Sequence, residues 1–116
     1  MDEHLVLPWT SDLNLGDVDD NGHQLRPHIV WFGEMVPLLE DAIALTEKAD
    51  ILIIIGTSMQ VYPAASLVNY VKRGTPIYFI DPRPSVGGAD FDNLRVISEN
   101  ASTGVPNLVR ELLAAK

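Results

Sequence analysis

Residues 51–55 read ILIII, five branched aliphatic side chains in succession, and the chain then changes at once to Gly56-Thr57-Ser58. A strand with one wet face alternates apolar and polar residues, whereas a strand in a parallel sheet covered by helices is apolar on both faces. The run therefore predicts a strand over 50–55, buried on both faces and the most buried of the chain. In open α/β sheets, ligands sit outside the carboxyl ends of the strands. Gly56, Thr57 and Ser58 fall at such an end. Glycine lets a ligand approach the backbone closely, and two hydroxyls can donate to phosphate or ribose oxygens. A plain strand-to-helix turn uses the same residue types, and the local sequence leaves both readings open.

The rest of the chain supplies partners for that strand. Residues 1–24, with SDLNLGDVDDNGHQ, show neither helical nor strand periodicity and read as a loop-rich segment. HIVWF at 28–32 is a short apolar run and predicts a buried strand. PLLEDAIALTEKA at 37–49 predicts a helix, with Leu38, Leu39, Ala42, Ile43 and Leu45 at helical spacing and Pro37 in the first helical position. PAASLVNYVKR at 63–73 predicts a second helix, stopped by Gly74. PIYFID at 76–81 is a third strand, DPRPSVGG at 81–88 a turn-rich loop, and NLRVIS at 93–98 an edge-like fourth strand. STGVPNLVRELLAAK closes as a helix, in which Pro106 is tolerated only within the first turn. Strands alternating with helices give βαβ units and a parallel sheet. The expected class is α/β, Rossmann-like, with a mostly parallel sheet and flanking helices over residues 25–116.

Charge and composition narrow the partners. A chain of 116 residues suits one domain. Its 16 acidic and 8 basic side chains give a net charge of −8, which repels phosphate backbones and anionic membranes. Nucleic acid and membrane are not expected partners; a lysine-rich peptide is compatible. No apolar run approaches the roughly 18 residues of a spanning helix. The acidic start MDEHLVLPW lacks the cationic flank of a secretory signal. The absence of cysteine excludes disulfides and thiolate zinc ligation, and a cytoplasmic protein is expected. His4, His23 and His28 have no metal-ligand spacing. Asp17, Asp19 and Asp20 are hard oxygen donors, but an Asp/Asn/Gly cluster is first a former of turns. No metal is expected.

Read together, LRPHIVWFGE, ADILIIIGTSMQVYPAA, PIYFIDPRP and ISENASTGVPNLVREL, in this order over about residues 24–115, resemble the C-terminal part of the bacterial sirtuins, NAD-dependent protein lysine deacylases. The resemblance implies NAD as cofactor and an acylated-lysine protein or peptide as substrate. It implies cofactor-binding roles for Gly56, Thr57 and Ser58 at the ribose and phosphates, for Asp81, Pro82 and Arg83 near the adenosine, and for Ala101 beside the adenine. Sirtuins carry an Asn-containing loop where Asp81 stands; a carboxylate only accepts, whereas an amide also donates. Phe32, Gly33 and Glu34, and Gln60, Val61 and Tyr62, match the two backbone stretches between which the acyl-lysine peptide lies as an added strand. Val30 and Phe32 would line the acyl-lysine tunnel. Taken alone, Val30 and Phe32 read as core residues, and Glu34 as an acid favouring the start of the next helix.

The departures from the family pattern matter as much. Sirtuins begin with a Gly-Ala-Gly loop at the pyrophosphate, continue through a Gln-Asn-Ile-Asp segment and then supply a histidine base; this sequence contains none of these. His28 belongs to RPHIVWFGE, which follows the family's catalytic histidine, so no residue of the chain is assigned a catalytic role. Where related sirtuins carry zinc-binding cysteines, residues 16–24 read GDVDDNGHQ. The reading is a C-terminal portion of a deacylase, as a fragment or a truncated paralogue, inactive by itself. The alternative is a non-catalytic module that holds nucleotide or peptide. A third reading is structural: a half-Rossmann unit whose exposed sheet edge pairs with another copy or another chain.

Overall fold

The computed structural model describes residues 5–87 and 90–115, which form two compact units, Met1–Pro37 and Leu38–Lys116. His4 lies outside the described residues. The second unit is built on three parallel strands, β1 (Leu52–Ile55), β2 (Ile77–Ile80) and β3 (Leu94–Ile97), in the order β1-β2-β3. Three helical segments accompany them: α1 (Leu39–Thr46), a 3-10 helix (Ala64–Tyr70) and α2 (Ala101–Ala114).

Register decides which side chains share a face. Leu52 pairs with Ile77 and Ile55 with Ile80, while Ile77 pairs with Leu94 and Ile80 with Ile97. Leu52, Ile54, Ile77, Phe79, Leu94 and Val96 therefore line one face, because side chains alternate along a strand. Ala65 and Val68 of the 3-10 helix are buried, and Val68 lines the same hollow as Ile77. The other face carries Ile53, Ile55, Tyr78, Ile80, Arg95 and Ile97. Here α2 packs, with Gly104 and Leu108 buried. At Gly104 the helix backbone comes so near the sheet that a Cβ would stand 2.7 Å from Ile80 Cγ2. An ion pair from Arg95 to Glu111 anchors α2 over β3.

The core is centred on β2, not on β1. Phe79 and Ile80 are fully buried, on opposite faces of the same strand, and Ile77 and Leu108 join them. The ILIII run departs from its expected burial on both faces: Ile51, Ile53 and Ile55 remain 41%, 37% and 44% exposed. The reason is position. β1 is an edge of this sheet, and α2 lies over β2 and β3, so the α2-side face of β1 has no cover among the described residues of this unit.

Other expectations shift for identifiable reasons. The segment 28–32 is not a strand but an exposed loop, with Phe32 91% exposed. Its amides turn back locally: Ile29 N donates to the Pro27 carbonyl, and Glu34 N donates to that of Trp31. The helix expected at 63–73 is 3-10 and ends at Tyr70. The hydroxyl of Ser66 donates to the Pro63 carbonyl at 2.6 Å, the kind of local bond that competes with regular helix. Gly74 does not stop this helix. It sits at the third position of the Lys72–Thr75 turn with φ +92°, where glycine carries no steric cost. In α2, Pro106 is the sixth residue rather than part of the first turn. The helix starts at Ala101 because Asn100 takes extended backbone and its carbonyl accepts from the amides of Thr103 and Gly104. The imide of Pro106 has no N–H to offer the carbonyl of Ser102.

Candidate functional site

Parallel pairing sets the carboxyl ends of β1, β2 and β3 side by side, and the sheet ladder runs one residue beyond the strands. Gly56 N donates to the Ile80 carbonyl at 2.9 Å, and Asp81 N to the Ile97 carbonyl at 3.2 Å. Gly56 and Asp81 are thereby held as neighbours. The chain leaving β3 turns through Glu99 and Asn100 into α2, which brings the exposed Ala101 to the same end of the sheet.

Each loop is held by its own polar groups. Gly56 has φ +60°, and the position a Cβ would take there has nothing within 4 Å. Its left-handed backbone favours glycine, and the space before it is open. The hydroxyl oxygen of Thr57 accepts from Met59 N at 3.2 Å, and Met59 has φ +56°. The hydroxyl of Ser85 donates to the Ser58 carbonyl at 2.8 Å and ties the loop after β1 to the loop after β2. Asp81 Oδ1 accepts from Arg83 N at 2.7 Å and so tightens the Asp81-Pro82-Arg83 turn. Beyond the first loop, Gln60, Val61 and Tyr62 form an exposed stretch that enters the 3-10 helix through Pro63.

The first unit carries the remaining residues singled out by sequence. Val30, Phe32, Gly33 and Glu34 lie on one exposed loop, with Gly33 at φ +86°. Val30 and Phe32 are not core residues here. Glu34 does not act as a helix-start acid: Oε1 pairs with Arg26 at 3.1 Å and Oε2 accepts from Trp31 N at 3.0 Å. Upstream, the carboxylates of Asp17 and Asp19 accept from turn amides, Asp17 from Asn14 N and Asp19 from the amides of Asn21 and His23. The His23 amide is the first cause holding Asp19 below the ordinary carboxylate range, with the nearby His23 ring adding to it. Gln24 closes this turn, accepting from Gly16 N and donating to the carbonyls of Asn14, Asp17 and Leu25. Among the described residues no group of three or more His, Asp or Glu is arranged to hold a metal ion.

Sequence reading missed four contributors: Ser85, Gly104, Arg26 and Gln24. Only Gly104 carried a signal, since a glycine inside a helical pattern marks close packing. A concavity of about 290 Å³ lies at the opposite, amino end of β2 and β3, lined by Val68, Lys72, Thr75 and Asn93 among others. It contains none of the cofactor candidates. In an open parallel sheet the functional end is the carboxyl end, and the convergence of Gly56, Asp81 and Ala101 there carries more weight than the depth of a hollow elsewhere.

Comparison with known proteins bears on the family of the chain. The sequence profile of the Sir2 family matches residues 4–63, just over half of the chain. An NAD-dependent protein deacylase of Helicobacter pylori is 48% identical over 112 residues, covering 97% of this chain and 48% of that protein. The solved structure of a Sir2 homologue in complex with NAD superposes with a TM-score of 0.73 at 37% identity, over 93% of this chain and 42% of the other. A Sir2 structure bound to acetylated peptide superposes with a TM-score of 0.66 at 30% identity, over 88% of this chain and 42% of the other. The chain spans about half the length of the curated relatives it matches. The profile match over half of the chain and these relatives, on a parallel sheet of the same fold, show the family: the chain belongs to the Sir2 family.

Proposed function

We propose that this chain contributes the adenosine and ribose side of an NAD site and a peptide-binding edge to an NAD-dependent protein lysine deacylase. The observation that carries the reading is the convergence of Gly56, Asp81 and Ala101 at one end of a parallel sheet, with open space before Gly56. The residues fit the cofactor. The left-handed Gly56 leaves room for a ribose or phosphate against the backbone, and the Thr57 and Ser58 hydroxyls can donate to its oxygens. Asp81 retains acceptor capacity beyond its bond to Arg83 N and would take ribose hydroxyls. The exposed methyl of Ala101 leaves the start of α2 open to a flat base.

Bound NAD would supply an electrophilic ribose carbon, with nicotinamide as the leaving group. The chain's own part is to hold and orient. In the first unit, exposed Phe32, Gly33 and Glu34 offer backbone to an extended acyl-lysine peptide, and Val30 and Phe32 offer apolar surface to its acyl chain. In the second unit, Gln60, Val61 and Tyr62 are by themselves an exposed stretch of the same kind. Residues 1–24 stand as a cysteine-free counterpart of the family's zinc module.

The test is nicotinamide release from NAD with acylated and unmodified lysine peptide, on this chain and on a polypeptide extended upstream by the family's Gly-rich loop and histidine. The chain alone should bind ADP-ribose without turnover, and the extended polypeptide should turn over only with acylated peptide. Acyl-dependent turnover by the short chain would overturn the assignment of the base elsewhere. Binding without turnover in both would favour a non-catalytic nucleotide- or peptide-holding module.

A further inference from the structure

Arg26 and Glu34 stand eight residues apart and close a ring of hydrogen bonds across the exposed loop that carries Val30 and Phe32. One guanidinium nitrogen of Arg26 donates to the Ile29 carbonyl at 3.0 Å, and the other donates to Glu34 Oε1 at 3.1 Å. Glu34 Oε2 accepts from Trp31 N at 3.0 Å. Both side chains are only partly exposed, Arg26 at 48% and Glu34 at 38%. A further bond, from Glu34 N to the Trp31 carbonyl, tightens the turn at Gly33. The loop has no strand partner of its own and carries Ile29, Val30, Trp31 and Phe32 exposed to solvent. Such a segment would ordinarily sample many conformations. Here a planar fork and a carboxylate hold it at both ends.

We propose that Arg26 and Glu34 are positioning residues for the acyl-lysine peptide, a role that rests on the peptide-edge reading above. The staple takes up the Ile29 carbonyl and the Trp31 amide. Among the described residues none bonds to the N–H or C=O of Val30, the residue between, and these stay available to an added strand. The loop is ordered before the peptide arrives, and pre-ordering lowers the entropic cost of docking. The fork is essential to this. Lysine keeps the charge but offers no fixed pair of donors to reach the Ile29 carbonyl and Glu34 together.

The experiment uses the whole chain, with Arg26→Gln, Arg26→Lys and Glu34→Gln as variants. Three quantities are read: hydrogen exchange at the Trp31 amide, affinity for an acetyl-lysine peptide with an unmodified control, and affinity for ADP-ribose. All three variants should exchange faster at Trp31 and lose about three- to tenfold in acetyl-peptide affinity, the scale of one or two charge-assisted hydrogen bonds. ADP-ribose affinity should stay at the wild-type value. Unchanged exchange at Trp31 would show that the staple holds nothing, and would overturn the proposal. Faster exchange with unchanged peptide affinity would overturn the positioning role and leave the peptide-edge reading intact. A parallel fall in ADP-ribose affinity would reduce the effect to general destabilisation. Failure of the wild-type chain to prefer acetylated over unmodified peptide would remove the peptide-edge reading, and this proposal with it.

Discussion

Gly104→Ala puts a single methyl group at the tightest point between α2 and the sheet. Inside a helix the exchange is normally favourable, by about 1 kcal/mol. Here the added Cβ would stand 2.7 Å from Ile80 Cγ2 and 3.4 Å from both Ile97 Cγ2 and Glu99 Cβ. Carbon atoms rest at about 3.5–4.0 Å, so the contact with Ile80 must open by roughly 0.8 Å or more. Ile80 is fully buried and β-branched, hence stiff at χ1, and the helix has to move instead. Overpacking of this kind costs about 1–3 kcal/mol, which outweighs the propensity gain and leaves a net loss on the order of 1 kcal/mol. For a domain near this size that lowers Tm by about 2–8 °C. The start of α2 is displaced with it, and Ala101 moves away from Asp81, so ADP-ribose affinity should fall as well. Ile80→Leu removes the offending Cγ2 at constant volume and should restore part of both losses in the double variant. Thermal denaturation and ADP-ribose titration of the two single variants and the double read this out. A Gly104→Ala protein melting at or above wild type, or a double variant with no recovery, would refute the close-packing account.

Three further outcomes are expected. Gly56→Asn, which tolerates the left-handed backbone, should keep the far-UV circular dichroism and lose ADP-ribose affinity by at least about tenfold, the side chain filling the open space before the loop; retained affinity would remove Gly56 from the cofactor site. The Arg95 hydrogen bond and charge hold Glu111 below its ordinary value of 4.5, so the stability advantage over Glu111→Gln should be complete above that pH and disappear as pH falls through the lowered folded value. An advantage that persisted in strong acid would argue against the ion pair as its source. The bare edge and face of β1 should drive self-association across roughly the micromolar range, weakened by Ile53→Lys; a wild-type chain that sediments as a monomer throughout would count against it.

Much of the second unit was legible in the sequence. ILIII, PIYFID and NLRVIS each hold a strand, and the closing helix has the length and periodicity that made it readable. What sequence did not carry was placement. Residues 51–55 are apolar on both faces, yet half of that surface is bare because β1 ends the sheet and α2 lies elsewhere. HIVWF has the composition of a strand, but a strand needs a neighbour. The bonds that shape this stretch come from Arg26, two residues before it, and Glu34, two residues after. A short apolar run looks the same in both settings. Pro106 misled in another way, because a proline pulls the expected helix start toward itself, whereas α2 begins at Ala101 and continues through it.

That the cofactor candidates stand side by side was legible for a topological reason, and topology also bears on what they would do. Parallel strands of matched register place their following residues side by side, so Gly56 and Asp81 are adjacent although 25 positions apart in the sequence. No such logic reaches Ser85, whose bond to the Ser58 carbonyl depends on how the loop after β2 folds back. A binding crevice in an open α/β sheet forms where the strand order reverses and neighbouring loops part to opposite sides. The order β1-β2-β3 runs in one direction, with no reversal inside it. Under the proposed reading, Gly56, Asp81 and Ala101 would form one wall of such a crevice. A second wall would then stand beyond β1, where Ile53 and Ile55 present exposed apolar surface. A ligand held by one wall keeps much of its surface in water, and affinity falls accordingly. ADP-ribose should bind this chain weakly, and at least about tenfold more tightly once β1 has gained a neighbouring strand.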